Sequence, residues 1–285
     1  MKKKQAMFYE KAADKVRCKL CPHNCLIENG NSGKCGVRVN DGGELYTINY
    51  GEVTALALDP IEKKPLYYFR SGTYILSVST FGCNLHCGFC QNYHLFQQAA
   101  EREYISPDGL VEMILETPES VGIAFTYNEP TIWFEYVYDS AMLLKEKDPS
   151  KAVVLVTNGY ISKEPLEMLL PYVDAMNIDL KSINNAFYKD ICGGSINPVK
   201  RTIEAAARAC HVEITTLLVT GENDTVEEVE SIAEYISSID KDIPLHISRY
   251  FPRFNFKNPP TDIQLMKKAA EAAGKHLNRV HLGNV

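Results

Sequence analysis

From Thr73 onward, the apolar and polar positions follow two alternating patterns. Six short runs rich in Val, Ile and Leu lie at 73–80, 121–126, 152–157, 175–180, 212–219 and 244–249. Continuous apolar runs of this length predict strands of a parallel sheet buried on both faces. Between and after them lie segments with helical periodicity, at 106–117, 131–146, 162–170, 198–209, 224–238 and 261–273. The pattern is sharpest at 224–238. There Val226, Val229, Ile232, Ala233 and Ile236 form one stripe, and Asp224 with Glu227 predicts a capping box. Six βα units with right-handed crossovers predict an α/β fold, a partial (β/α)6 barrel short of the eight units that close a barrel.

The first 70 residues do not share this pattern. They read as loop-rich and irregular, with Cys18, Cys21, Cys25 and Cys35 interleaved with glycines. The expected division is a four-cysteine, metal-binding module over 1–70 and the barrel over 71–285. Of the 285 residues, 45% are hydrophobic and 23% charged, as in ordinary globular proteins. No apolar run is long enough to span a membrane, and no apolar stretch follows the basic Met1–Gln5 start to make a signal peptide. Nine cysteines in such a chain predict metal ligation in the reducing cytoplasm rather than disulfides. The net charge of −6 gives no general attraction for nucleic acid. The sign is uneven: residues 1–70 hold 12 Lys and Arg against 8 Asp and Glu, the remainder 18 against 28.

Composition changes the picture most at Cys83, Cys87 and Cys90, a C-x3-C-x2-C loop directly after the first predicted strand. Thiolates suit iron–sulfur clusters, and three of them leave one iron of a [4Fe–4S] cube without a protein ligand. An open metal position is where chemistry takes place, and the C-terminal end of a barrel strand is where such folds put active sites. The competing reading is structural zinc, with His86 or His94 as the fourth ligand. Cys18, Cys21, Cys25 and Cys35 supply a complete set of four thiolates, which suits zinc or a second iron–sulfur cluster. Cys192 and Cys210 stand apart and read as ordinary thiols.

The Cys83–Cys90 loop closely resembles that of radical S-adenosylmethionine (SAM) enzymes. In that superfamily the open iron takes the amino and carboxylate groups of SAM. One electron then cleaves SAM to methionine and a 5′-deoxyadenosyl radical. Phe89 matches the aromatic usual before the third cysteine. Glu129, in Tyr127-Asn128-Glu129-Pro130, matches the segment that holds the SAM amino group, without the paired glycines common there. Asn128 and Glu129 would also cap the helix that follows. Val156-Thr157-Asn158-Gly159 and Asp179-Leu180-Lys181 resemble segments of glycyl-radical-enzyme activases, where the D-x-K pair helps bind SAM. Asp179 and Lys181, two apart on a strand, share a face; a plain ion pair is the alternative. His246 matches a position near the adenosine, although a strand histidine is more commonly a bonded core residue. Arg249, Tyr250 and Arg253 follow at that strand's exit, where they would meet an anionic substrate or solvent.

The resemblance narrows further through Arg17–Pro22, Gly33–Arg38, Asp59–Leu66 and Cys90-Gln91-Asn92. These segments resemble the radical SAM family of the AmmeMemoRadiSam system, described as pyruvate formate-lyase activating enzyme-like. Its chains usually run on into a tail with further cysteines. The resemblance implies a reductant such as flavodoxin or ferredoxin, and a small molecule or protein as substrate. Two other functions stay open on sequence: a glycyl-radical-enzyme activase, and a non-catalytic metal-binding or electron-transfer protein.

Overall fold

The structure is a computed structural model that describes residues 3–94 and 101–285. Its centre is one eight-stranded sheet. The strands are Ala55–Pro60 (β1), Tyr74–Ser79 (β2), Ser120–Phe125 (β3), Ala152–Thr157 (β4), Ala175–Asp179 (β5), His211–Leu218 (β6), Leu245–Arg249 (β7) and Val280–Gly283 (β8). They lie side by side in chain order. β2 to β8 run parallel, while β1 pairs antiparallel with β2. β1 and β8 do not pair, so the barrel is partial and open along one side. All six predicted strands are present, and β1 and β8 extend the sheet at its two edges.

The longer helices are Pro107–Leu115 (α1), Phe134–Lys147 (α2), Lys163–Leu169 (α3), Ile196–Ala206 (α4), Val226–Ile239 (α5) and Ile263–Ala273 (α6). Each matches a predicted segment, with local differences at the ends. The α2 segment opens with a 3-10 turn, Pro130–Trp133, with Pro130 at its first position, where no intrahelical bond is lost by the missing amide hydrogen. The cap of α5 is Thr225, which accepts from the Glu228 amide, and not Asp224. Asp224 instead accepts from Gly221. The expected Asp224–Glu227 capping box is therefore not formed, and the Glu228 carboxylate reaches across to Ser182 and the Ile183 amide.

The N-terminal region is more regular than its composition predicts. Two three-stranded antiparallel sheets hold it, one built around Lys15–Cys18 and the other around Glu44–Thr47. It is seated on the barrel through α2. Arg38 and Glu135, 1% and 2% exposed, form an ion pair at 2.9 Å, and Glu135 also accepts from the Met7 amide at 2.7 Å. Phe8 meets Phe134 edge-on at 5.0 Å. Ala55–Pro60, within the first 70 residues, belongs to the main sheet.

The chain from Ile61 to Phe69 straps the N-terminal end of the barrel. The Tyr67 and Tyr68 amides donate to Glu213, a fully buried carboxylate on β6, at 3.0 and 2.8 Å. His211 and His246 bond the same carboxylate at 2.9 and 2.6 Å. Burial pushes the acidity of Glu213 towards higher pH. The four bonds outweigh it and bring the pKa down to about 2. The ionised form is therefore preferred in the folded state. Its contribution is present above the unfolded pKa near 4.3 and fades as pH falls from there towards 2. Roughly 3 kcal/mol of stability is expected to disappear across that window. Urea midpoints of wild type and Glu213→Gln between pH 5 and 2.5 check this. Parallel curves for the two proteins would contradict it.

Candidate functional site

Cys83, Cys87 and Cys90 follow β2 at the C-terminal end of the sheet. The turn before them needs Gly82, at φ +89°, where a side chain would strike the Cys35 carbonyl and Val37, both 2.7 Å from its Cβ. The loop is tied on two sides. Asn84 donates to the Tyr160 carbonyl at 2.7 Å, and the His86 amide donates to the Cys192 carbonyl at 2.8 Å. Phe89 is buried and meets Phe187 and Phe256.

The three cysteines border a cavity of about 300 Å³ lined also by Phe89, Asn128, Glu129, Asn158, Asp179 and Lys181. Strand ends supply these groups. Glu129, past β3, is 1% exposed and accepts from the Thr131 amide (2.9 Å), Thr157 Oγ1 (2.7 Å) and the Asn158 amide (2.8 Å). Burial raises its pKa although these donors pull the other way. It therefore does cap the following turn, as well as facing the cavity. Asn158, past β4, places Nδ2 at 3.7 Å from Cys83 Sγ and 2.9 Å from Asn84 Oδ1. Asn128 holds the cysteine loop from below by donating to the Gly82 carbonyl at 3.0 Å.

Asp179, at the end of β5, and Lys181 just beyond it form an ion pair at 2.9 Å. Burial would lower the Lys181 pKa; Asp179 and the sulfurs of Cys87 and Cys192 reverse that and raise it well above its ordinary value. A lysine so held stays a cation beside Cys87. The Cys192 thiol hydrogen-bonds Cys87, and this bond, with the charge of Lys181, favours the Cys87 thiolate despite burial. Cys83, lacking such neighbours, has its thiol pushed upward by burial and by Glu129.

Cys192 is thus not the isolated thiol that its sequence context suggests. It lies 105 residues from Cys87, in a π-helical turn Tyr188–Cys192, and no local spacing signals the contact. Lys63 and Tyr127 also line the cavity without being singled out by the sequence. Asp59 joins them: it pairs with Lys63 at 2.8 Å and Lys64 at 2.7 Å and accepts from the Tyr127 hydroxyl. Tyr127 stands at φ +67°, a costly conformation for a residue with a side chain. His246, by contrast, is not among the lining residues; it lies in the layer bonded to Glu213. Arg249 is turned to the Thr261 carbonyl at 2.9 Å, away from the cavity lining. Cys210 is half-buried, and burial pushes its thiol up to about 12.

Cys18, Cys21, Cys25 and Cys35 are all free thiols gathered in the N-terminal module. The Cys18 amide donates to the Cys25 carbonyl at 2.9 Å, which folds the chain back between them. Burial pushes Cys21 up to about 12, reinforced by the nearby Cys18, Cys35 and Cys25. Among the described residues, no three of His, Cys, Asp and Glu are grouped so as to hold a single metal ion. That applies to both cysteine groups, and to His86 and His94 as partners of the Cys83 loop.

Comparison with known proteins bears on this geometry. The model of the radical SAM superfamily matches residues 77–236, over half of the chain. The uncharacterised protein MJ0808 of Methanocaldococcus jannaschii is 40% identical over 99% of this chain and 85% of its own length. The pyruvate formate-lyase-activating enzyme of Clostridium pasteurianum is 24% identical over 66% of this chain and 82% of its own. Among solved structures, SuiB of Streptococcus suis bound to S-adenosylmethionine superposes with a TM-score of 0.57 at 13% identity. It covers 73% of this chain, which spans about half (51%) of SuiB. TYW1 with a lysine-pyruvate adduct gives a TM-score of 0.54 at 15% identity, over 84% of this chain and 86% of that one. Both solved structures share the fold. Three cysteines at the strand ends of a partial parallel barrel, and a family match across that barrel, place this chain in the radical SAM superfamily.

Proposed function

We propose that the protein is an enzyme that cleaves SAM reductively at a [4Fe–4S] cluster held by Cys83, Cys87 and Cys90, and that the resulting radical takes hydrogen from a substrate. The observation that carries this reading is the lining of one cavity by the three cysteines and the Asp179–Lys181 pair. The family implies the cluster and SAM. The donor set fits the cluster: three thiols on one loop, with a lysine cation and a thiol donor against one of them. When bound, the cluster supplies the single electron that breaks a carbon–sulfur bond of SAM.

The chain's own residues position and shield. Lys181 offers charge-assisted bonds to the SAM carboxylate, and Asp179 orients it and faces the SAM amino group. Asn158 donates towards Cys83 and steadies that sulfur. Glu129 presents its remaining acceptor capacity to the amino group while bracing the β3 and β4 exits. Phe89, between Phe187 and Phe256, keeps water from that side of the loop. A one-electron donor such as reduced flavodoxin or ferredoxin is the required partner. Free cysteines throughout support a reducing compartment such as the cytoplasm. No helix among the described residues is long and apolar enough to cross a membrane.

The test is anaerobic reconstitution with iron and sulfide, then addition of SAM and dithionite. A cluster EPR signal that changes with SAM, and formation of 5′-deoxyadenosine, are expected. Absence of both from iron-loaded protein would sink the reading. Asp179→Asn and Lys181→Met are each expected to weaken SAM binding by about 1–3 kcal/mol with iron content unchanged. Anaerobic calorimetry reads this directly, and wild-type affinity in both variants would misplace the SAM site. An activase is the narrower reading, supported by the relation to pyruvate formate-lyase-activating enzyme. It predicts that the hydrogen recovered in 5′-deoxyadenosine comes from a protein backbone.

A further inference from the structure

We infer that the cavity takes, beside SAM, a small molecule carrying a carboxylate or phosphate, and that Lys63 is the contact for that anion. The inference rests on the SAM-cleavage reading for the roles of the other charged lining residues, and it names the substrate class of the same cavity.

The first observation is a charge left over. The lysine and carboxylate side chains that line the cavity are Lys63, Glu129, Asp179 and Lys181. In the SAM-cleavage reading Glu129, Asp179 and Lys181 serve SAM, and Lys63 has no part. Among the described residues its ion-pair partner is Asp59, at 2.8 Å. That carboxylate is already matched, because Lys64, 1% exposed, pairs with its other oxygen at 2.7 Å. A buried ammonium depends on its counter-charge, so Asp59 belongs to Lys64 first. Two lysines share one carboxylate, and the group carries one positive charge in excess.

The second is the asymmetry of the group. The Lys63 side chain is 66% exposed and that of Asp59 only 6%. A pair with a largely exposed partner holds weakly. Lys63 can therefore leave Asp59 for a ligand at little cost, while Asp59 and Lys64 stay in place. Asp59 also accepts from the Tyr127 hydroxyl, and the Tyr127 ring lies 4.3 Å from Lys64 Nζ. Tyr127 lines the cavity at φ +67°, so a strained residue joins the cavity wall to the Asp59–Lys64 pair. Asp59 and Tyr127 are positioning residues, and Lys63 meets the ligand.

The third is placement. Asp59 is on β1 and Asp179 on β5, with β2, β3 and β4 between them in the sheet. Lys63 and Lys181 thus come from different walls, and an anion at Lys63 leaves Lys181 to the SAM carboxylate. Thr215 of β6 and Ser248 of β7 add hydroxyls to the lining. Ser248 Oγ accepts from Asn284 Nδ2 at 3.0 Å, which leaves its own hydrogen to give. Arg249, the residue that the sequence offers to an anionic substrate, bonds the Thr261 carbonyl instead. A single ammonium is a compact point charge that suits a carboxylate or phosphate. The neutral backbone of a protein substrate, as an activase would use, has no need of it.

The experiment uses full-length protein, reconstituted anaerobically, loaded with SAM and left unreduced. It is titrated by calorimetry with inorganic phosphate, with succinate and with the uncharged succinamide. At least one of the two anions is expected to bind, and succinamide is not. Lys63→Met is expected to weaken anion binding about tenfold, and Lys63→Arg to keep it within about threefold. Because the pair it loses is exposed, Lys63→Met should keep the urea midpoint of wild type. Wild-type anion affinity in Lys63→Met, equal binding of succinamide, or no binding of either anion to wild type overturns the inference. So does an acidic hexapeptide that binds more tightly than both anions, which would give the charge to a protein partner. If wild type takes up no SAM, the SAM-cleavage reading fails, and the same titrations on SAM-free protein still decide the role of Lys63.

Discussion

Protein carrying Cys83→Ala, reconstituted anaerobically, is expected to lose the SAM-sensitive EPR signal and all 5′-deoxyadenosine formation. Two thiolates cannot hold a cube whose third protein ligand is gone, and an open iron without its cluster has no electron to give. Cys83 is a cleaner target than Cys87. Cys87 is hydrogen-bonded to Cys192, so its removal would leave another thiol beside the vacated position. The sulfurs acting on Cys83 are Cys87 and Cys90, both proposed ligands of the same cluster. Gly82 and Asn84 fix the backbone on each side, so the substitution removes a ligand without moving the loop. A SAM-sensitive signal of wild-type size in this variant would show that the cluster sits elsewhere.

Glu135→Ala is expected to destabilise the protein by about 3–5 kcal/mol, the cost of leaving a buried charge uncompensated. The substitution strands Arg38, which is 1% exposed, and removes the acceptor of the Met7 amide as well. Both groups tie the N-terminal module to α2, so its docking weakens together with the barrel. The urea midpoint at neutral pH reads the loss. A change below about 1 kcal/mol would mean that Arg38 finds another counter-charge, contrary to a fully desolvated pair.

The sequence carried the buried architecture well. β3 and β4 are nearly continuous apolar runs, the trace left by parallel strands covered on both faces, while β5 to β7 mix apolar residues with polar ones such as Asn177, Glu213 and His246. The edges left less. β1 is half-exposed, with Leu56 and Leu58 facing outward, and it lies within the first 70 residues, which read as irregular. β8 is four half-buried residues. The three cluster cysteines could be read because their spacing is local, and Asp179 and Lys181 because strand parity puts them on one face. What could not be read depends on distant partners. His246 does point into the barrel, but Glu213 claims it one layer below the cavity. Cys192 meets Cys87 across 105 residues, where the His86 amide donates to the Cys192 carbonyl. The helix cap moved by one residue, from Asp224 to Thr225, because Gly221 had already taken the aspartate.

The strap under the barrel also sets a schedule for the growing chain. The Tyr67 and Tyr68 amides bond a carboxylate 146 and 145 residues further on. A chain made at about 5–20 residues per second leaves them without that acceptor for on the order of 10 to 30 s. The lower edge of the early strands stays uncovered throughout that interval, while Tyr67 and Tyr68 remain partly exposed even in the folded chain. Closure over so long a separation is slow by nature. The strap can therefore close only after β6 has left the ribosome.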